Sequence, residues 1–298
     1  MKNKSVIALA IVALLPIQAS AKENSHNSHD IHEPVSDSVI SEQRERLAIN
    51  TKGKGFGPQA PRDIDAIIGN NKPLFGAAPA YTNMNLCNIH FHKNAEHKGG
   101  EFTKYAGNGD GHGYQSGYKY SGKLSATELK PVQSEICPSE HGGLAVGDTI
   151  EVHYVHSTAQ VKPGPTLDSC LNDSIKNPQL RVEAQVYVLV NDPKALDFGN
   201  LTKHGNNNRL NQAMHIPSNT GTPVQYAGST TGPNYNEKGS PLQVTWNVRP
   251  KVAKVNIETV GKWCIDKNKD KDKDFKGFYA HGVRNLVVNP DLLSKIGQ

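Results

Sequence analysis

The sequence has little that would place the chain in a membrane or on nucleic acid. After the first 17 residues it contains no apolar run long enough to cross a bilayer. The formal net charge is only +5 over 298 residues, and the basic residues are dispersed, which argues against a nucleic-acid partner. Aromatic residues make up 6%, whereas glycine (27) and proline (18) are frequent. This composition favours a loop-rich globular protein.

The N-terminus has the pattern of a cleaved signal peptide over residues 1–21. Lys2 and Lys4 precede an apolar stretch, and residues 19–21 (ASA) supply the small side chains of a cleavage site. The pattern predicts export to the periplasm or the extracellular space. It leaves no membrane anchor after cleavage.

A polar leader follows the predicted signal peptide and covers residues 22–55. It contains His26, His29 and His32, so a metal-collecting tail is one interpretation. A flexible segment without packed structure is the interpretation that we favour. Residues 41–50 predict a short helix within it, capped by the serine at its start.

Cysteine is scarce, and its spacing argues against a cysteine-based metal site. No two of the four cysteines form a C-x-x-C pair. Alternation along its strand also puts Cys87 out of phase with the nearby histidines. An even number in an exported chain predicts two disulfides, but the sequence does not choose among the three pairings. The four residues are Cys87, Cys137, Cys170 and Cys264.

Residues 56–298 predict one domain of strands and long turns, because no repeat or sharp linker divides them. The candidate strands are 86–93, 148–158, 180–190 and 242–248, with weaker ones at 252–260 and 283–288. Residues 103–122 and 202–220 predict irregular loops. No long amphipathic helix stands out.

The stretch with the clearest chemistry is NIHFHKNAEH, residues 88–97. Successive side chains of a strand point to opposite faces, so His90 and His92 share one face with Asn88. Ile89 and Phe91 then face a core. Two imidazoles side by side on a strand are half of a zinc site.

A second strand, residues 148–158, supplies the other half. Glu151, His153 and Val155 share one face by alternation. His153 provides a third nitrogen, and Glu151 is placed to accept its other ring N–H, as Asn88 is for the first strand. Three neutral histidines with an open fourth position describe a catalytic zinc site.

Blocks of this sequence, in order, resemble those of the carbonic anhydrases. QAPRDI at 59–64 is similar to the family's Gln-Ser-Pro-x-Asp-Ile, and the two histidine strands follow. YAGSTTGP at 226–233 and PLQVTW at 241–246 resemble the α-class Gly-Ser-x-Thr-Thr-Pro-Pro and Val-Thr-Trp signatures. The distance from Gln59 to His90 is much shorter than in the α class. The spacing resembles more closely the δ-class enzymes of diatoms and bacteria.

This resemblance implies a mainly β (α+β) fold with a single catalytic domain over residues 56–298. The expected architecture is a large, mostly antiparallel twisted sheet with short peripheral helices and long loops. The implied reaction is the reversible hydration of carbon dioxide to bicarbonate and a proton by a zinc-bound hydroxide. The implied zinc ligands are His90, His92 and His153.

The resemblance also assigns roles around the metal. Thr230 is expected to accept the hydroxide proton and Glu96 the proton of the Thr230 hydroxyl, while the Thr230 N–H holds a bicarbonate oxygen. Val155, Thr231 and Trp246 are the expected pocket residues. Many α-class enzymes carry a proton-relay histidine between the first block and the His-x-His strand. No other histidine lies between residues 59 and 90, so external buffer is expected to carry the proton.

Two other functions stay open at this point. The spacing His90-x-His92-x3-Glu96 also matches the first metal motif of cupins, although their glycine-rich frame and later histidine block are absent. A non-enzymatic, exported zinc-binding protein is the second alternative. The sequence does not indicate an oligomeric state.

Overall fold

A computed structural model describes residues 33–269 and 279–297. The predicted signal peptide and the three leader histidines lie outside these residues. No helix in the described part of the chain is long and apolar enough to span a bilayer.

A six-stranded mixed sheet forms the centre of the fold, with the strand order β1-β4-β5-β9-β8 and β10 added beside β5. Its strands are β1 (Asn85–Lys93), β4 (Thr149–Ser157), β5 (Leu180–Val190), β8 (Val224–Ser229), β9 (Gln243–Val248) and β10 (Ala253–Asn256). Two short hairpins are separate from it: β2 (Lys104–Tyr105) with β3 (Tyr118–Lys119), and β6 (His204–Asn207) with β7 (Leu210–Ala213). The predicted mainly β class is confirmed.

Most neighbouring strands of the sheet are antiparallel, and the exceptions both involve β5. The first half of β5 pairs in parallel with β9, and its last four residues pair in parallel with β10. β4 pairs antiparallel with β1 on one side and with β5 on the other, and β8 pairs antiparallel with β9. The predicted large, mostly antiparallel twisted sheet is therefore confirmed, with a parallel step at β5.

The central strands are buried on both faces because an apolar cluster covers each side of the sheet. One cluster contains Ile89, Phe91 and Tyr154, in the phase that alternation predicts. The other contains Val155 and Trp246. Even so, the second side also carries the polar residues of the site, so we call it the site face and the first the opposite face.

Two disulfides join the cysteines, one in each apolar cluster. Cys87 pairs with Cys170 on the site face, and Cys137 pairs with Cys264 in the opposite-face cluster. A register shift between residues 86 and 88 moves Cys87 onto the site face. Simple alternation had placed Cys87 on the other face, and the bulge is the reason that this was wrong.

Within the described ranges, three α-helices lie around the sheet: α1 (Asp37–Thr51), α2 (Phe198–Leu201) and α3 (Ile257–Lys269). α3 packs Val260 and Trp263 into the opposite-face cluster. The weak strand predicted at 252–260 is thus β10 followed by the first turn of α3. Residues 283–288, predicted as a weak strand, form no strand and have no regular secondary structure.

The described part of the predicted leader is ordered helix rather than a free tail. α1 begins four residues before the predicted helix, with Ser36 at its N-cap position. Leu47 packs against Val287 in a small apolar cluster, and Arg44 Nε donates to the Leu286 carbonyl at 3.0 Å. The expected boundary at residue 56 therefore does not coincide with a change in packing.

Candidate metal centre

A cleft of about 290 Å³ opens on the site face over β1 and β4. Antiparallel pairing sets His90 opposite His153 and His92 opposite Glu151, so the two histidine strands meet at this point. The cleft is lined by Asn88, His90, His92, Glu96, Tyr114, His153, Pro165, Thr166, Leu167, Thr230, Thr231, Gly232, Pro233, Tyr279, His281 and Gly282.

Hydrogen bonds at the outer nitrogens fix the tautomers of two histidines. His90 Nδ1 lies in short contact with Asn88 Oδ1, an acceptor, so the imidazole donates there and its Nε2 carries the lone pair. His153 Nε2 lies 2.8 Å from Glu151 Oε1, so its Nδ1 carries the lone pair. These two lone-pair nitrogens face each other 3.2 Å apart.

His92 completes the convergence. Its Nδ1 donates to the Gly282 carbonyl at 3.0 Å, and its Nε2 is buried without a partner among the described residues. Buried polar atoms in proteins are almost always bonded, so this nitrogen requires a partner that the described residues do not supply. The ligand nitrogens of a tetrahedral zinc lie about 3.3 Å apart. This distance is close to the 3.2 Å between His90 Nε2 and His153 Nδ1. The three residues fit a zinc ion.

Burial keeps these imidazoles neutral. Burial and the neighbouring His153 lower the pKa of His90 well below its ordinary value. Burial, again with His153, lowers the pKa of His92 to about 3. A neutral imidazole is the form that binds metal, so the ligands need not lose a proton near neutral pH.

A buried carboxylate orients the third ligand. Burial alone would raise the pKa of Glu151, but the His97 and His153 rings outweigh it and hold that pKa well below its usual value. His97 donates Nδ1–H to Glu151 Oε1 at 2.7 Å, and its Nε2 lies 2.6 Å from the Tyr226 hydroxyl. His97, expected to be a hydrogen-bonded structural residue, thus ties Glu151 to strand β8.

Glu96 stands beside the three histidines without joining them. Its Oε1 accepts the Arg284 backbone N–H at 2.8 Å. The carboxylate oxygens lie 3.9 Å from His92 Nδ1 and 4.0 Å from His153 Nε2, which is beyond hydrogen-bond reach. Burial raises the pKa of Glu96. The ligand nitrogens therefore converge in a group that does not include Glu96, unlike the ligand set of a cupin.

The two threonines of the cleft differ in what is still available to bond. The Thr230 N–H donates to the Leu242 carbonyl at 2.9 Å, so it already has a partner in the protein, and its expected role in holding bicarbonate stays a prediction. This hydrogen bond between Thr230 and Leu242 extends the antiparallel pairing of β8 with β9 by one step. The Thr231 Oγ1, in contrast, is buried and has no partner among the described residues.

Two of the expected pocket residues lie beneath the cleft rather than in its wall. Val155 and Trp246 belong to the site-face apolar cluster and do not line the cavity. The Trp246 ring packs against His153, with centroids 5.0 Å apart, and donates Nε1–H to the Ser229 carbonyl at 3.0 Å. Trp246 therefore supports a candidate ligand from below.

Sequence reasoning missed much of the cleft wall. His281 stacks on His90 with centroids 5.2 Å apart, and Tyr279 and Tyr114 line the same side. Leu167 lines the cleft from the short 3-10 helix Leu167–Cys170. These residues lie in irregular or very short elements, where no periodicity marks an inward-facing side chain. Only the cysteine pairing, had it been known, would have brought Leu167 to β1.

Family comparison decides which chemistry this arrangement serves. The family model described as delta carbonic anhydrase matches residues 81–259, more than half of the chain. The chain belongs to the delta carbonic anhydrase family. Its activity is the reversible hydration of carbon dioxide, as the sequence blocks predicted, and the matched region contains both histidine strands and both threonines. The cupin and non-enzymatic alternatives are set aside by this match.

Solved structures give a weaker comparison. The chain is 14% identical to an alpha-carbonic anhydrase from Thermovibrio ammonificans in complex with the inhibitor sulfanilamide, covering 85% of this chain and 98% of that one, with a TM-score of 0.27. An alpha-carbonic anhydrase from Photobacterium profundum is also 14% identical, with coverage of 83% and 97% and a TM-score of 0.26. Scores this low support no argument. No curated protein matches the chain.

Proposed function

We propose that this carbonic anhydrase is a zinc enzyme whose metal is held by His90, His92 and His153. The observation that carries the proposal is the convergence of three lone-pair nitrogens, one of which is buried without a partner in the described part of the chain. Three neutral nitrogen ligands leave the charge of the metal intact. Asn88, Glu151 and the Gly282 carbonyl orient the ligands through their outer N–H groups.

A zinc ion in this position supplies a Lewis acid that lowers the pKa of bound water to about 7. The protein's own part is orientation. Carbon dioxide has no leaving group, so the residues around the metal need not donate a proton to the substrate. They must direct the attacking lone pair toward it.

A threonine hydroxyl performs this orientation in our proposal, with Glu96 as the buried acceptor of the threonine proton. Of the two candidates, we prefer Thr231, whose Oγ1 has no partner among the residues that the structure describes, to Thr230, to which the resemblance assigned this role. The Arg284 N–H holds Glu96 Oε1 in place and favours its charged, accepting form.

We also propose that the enzyme is exported and works in the periplasm or outside the cell. The signal-peptide pattern and the two disulfides support this location, because disulfides persist in oxidising compartments. Carbon dioxide and bicarbonate are the small-molecule partners, and we propose no nucleic-acid partner and no membrane anchor after cleavage.

The test compares the two threonines as a matched pair. Zinc content and stopped-flow carbon dioxide hydration are measured for the wild type, Thr230→Val and Thr231→Val. We expect one zinc per chain in all three, with kcat/KM reduced about 100-fold in Thr231→Val and little changed in Thr230→Val. The reverse order would return the role to Thr230. A wild type that hydrates carbon dioxide without bound zinc would refute the metal assignment.

A further inference from the structure

Arg284 is a buried arginine, only 2% exposed, two residues after the cleft-lining Gly282. A guanidinium has five N–H donors, and five hydrogen bonds are made here. Nε and Nη2 donate to the Tyr235 carbonyl at 3.2 and 3.0 Å, and Nη2 also donates to Gln59 Oε1 at 3.2 Å. Nη1 donates to the Ala60 carbonyl at 2.8 Å and to Ser229 Oγ at 3.1 Å.

These acceptors lie on both sides of the threonine segment. Ser229 immediately precedes Thr230 and Thr231 at the end of β8, and Tyr235 ends the turn Pro233–Tyr235 that follows them. One side chain thus holds the segment before and after its two hydroxyl-bearing residues.

The backbone of Arg284 connects the same segment to the acid of the site. Its N–H donates to Glu96 Oε1 at 2.8 Å. Glu96 and the threonine segment come from parts of the chain that share no strand pairing. Arg284 is therefore bonded both to the carboxylate and to the frame of the residue that we propose as its hydroxyl partner.

The QAPRDI block gains a function from this arrangement. Gln59 Oε1 accepts from Arg284 and also from the Ser240 N–H at 2.8 Å, while the Ala60 N–H donates to Ser229 Oγ at 3.2 Å. Residues 59 and 60 contribute no group to the cleft lining. They complete the set of acceptors that holds the guanidinium in one orientation.

We propose that Arg284 is a positioning residue for carbon dioxide hydration, which fixes the threonine segment at a set distance from Glu96. This inference rests on the proposed roles of Glu96 and the threonine. None of the four acceptor atoms is a carboxylate oxygen, so the guanidinium forms no direct ion pair with a described residue to offset its desolvation, and burial lowers its pKa to about 10. Lysine offers three donors from a single point and cannot reach both sides of the segment.

The test is Arg284→Lys with Arg181→Lys as the matched control. Arg181 is also buried, but it lies on the opposite face, where its Nε donates to Glu183 at 2.7 Å. Both variants are examined for zinc content, thermal unfolding, hydration kinetics and amide hydrogen exchange. We expect Arg284→Lys to keep its zinc, to lose 10- to 100-fold in kcat/KM, and to exchange the amides of residues 230–235 faster while β1 and β4 stay protected.

Arg181→Lys is expected to lower the unfolding temperature without reducing kcat/KM and without faster amide exchange in the threonine segment. The proposal is overturned if Arg284→Lys retains wild-type kcat/KM, or if Arg181→Lys loses as much. If Arg284→Lys does not fold, Ser229→Ala decides, since it removes one acceptor and should reduce kcat/KM about fivefold, the equivalent of one hydrogen bond. A Ser229→Ala variant with wild-type kcat/KM would then refute the positioning role of Arg284.

Failure of the proposed function is distinguishable from failure of this inference. If the threonine and Glu96 roles are wrong, Glu96→Gln and Thr231→Val will both keep wild-type activity. If only the Arg284 inference is wrong, those two variants will lose activity while Arg284→Lys retains it.

Discussion

The same strands carry two very different surfaces. On the site face, β1 and β4 present imidazoles and a carboxylate, such as His90, His153 and Glu151, all buried. On the opposite face they present Phe91, whose ring packs against Phe198 of α2 and Trp263 of α3, and Tyr154, which belongs to the same apolar cluster. The polar face makes specific hydrogen bonds but gains little from burial, because buried polar groups must first lose their water. The apolar face supplies the stability that allows the polar face to be held in one geometry.

The largest expected difference between the two faces concerns two histidines of β4 that lie on opposite sides of the sheet. His153→Ala should lose most of the zinc and nearly all activity, because two nitrogens bind zinc weakly. His156 lies three residues further, with Nδ1 donating to the Tyr154 carbonyl, and His156→Ala should keep both zinc and activity. Metal analysis and stopped-flow hydration check this. An empty site in His156→Ala with a full one in His153→Ala would mean that the faces are reversed.

Two buried glutamates extend the same contrast. Glu96→Gln should keep one zinc per chain while hydration falls by roughly a hundredfold, the effect of losing an orienting group. Glu183 accepts from Arg181 and Asn247 on the opposite face, so Glu183→Gln should reduce thermal stability and leave kcat/KM per zinc unchanged. Loss of metal in Glu96→Gln would make Glu96 a ligand.

The two disulfides sharpen the comparison further. Cys87 precedes Asn88, whose Nδ2 donates to the Gly164 carbonyl at 2.7 Å. Its partner Cys170 ends the short 3-10 helix that begins with the cleft-lining Leu167. Replacing Cys87 and Cys170 by alanine should weaken zinc binding by about tenfold, because an orienting partner is loosened. Replacing the other pair, Cys137 and Cys264, should leave zinc affinity intact.

Each bridge should contribute about 2–4 kcal/mol to the free energy of unfolding. Chelator competition measures the zinc affinity and denaturant titration the stability of both double variants. Equal zinc affinity in the two would show that the site-face bridge does not support the ligands. Free thiols in the denatured, unreduced protein would contradict both bridges.

The smallest expected effect concerns the proton released in each turnover. His215 follows β7, whose Ala213 packs in the opposite-face cluster, and His112 is exposed in a loop. Neither lines the cleft; His281 does, but burial and the neighbouring His92 lower its pKa to about 4, which makes it a poor proton acceptor near neutral pH. The turnover number should therefore rise several-fold with imidazole buffer at fixed pH and ionic strength, the imidazole serving as general acid–base, while kcat/KM stays flat. A turnover number that is high and independent of buffer would indicate an internal relay.

The sequence predicted the parts of the site that obey strand alternation. His90, His92, Glu151 and His153 lie on two regular strands, so a period of two is enough to put them on one face. The register between the two strands then follows, because the correct alignment buries the apolar side chains of both strands on the same face. The bulge at Cys87 escaped this reasoning, since a single inserted residue leaves no pattern in the sequence.

The groups that hold these residues could not be found in the same way. His92 bonds a carbonyl 190 residues later, and the Thr231 hydroxyl is distinguished from Thr230 only by the pairing of Thr230 with Leu242. Arg284 lies in a segment without regular secondary structure, three residues after an isolated bridge between His281 and His92 of β1. Contacts of this kind depend on tertiary packing of irregular chain, for which periodicity and propensity carry no signal.

The position of Gly282 and Arg284 in the chain has a consequence for biosynthesis. Gly282 fixes the ring of His92, and Arg284 fixes Glu96, although both histidine strands are made more than a hundred residues earlier. A chain still emerging from the ribosome or the export channel therefore has the candidate ligands before it has the groups that orient them. Tight metal binding is therefore expected only after the segment around residues 282–284 has packed against the two histidine strands, so the late-made part of the chain controls when the site is complete.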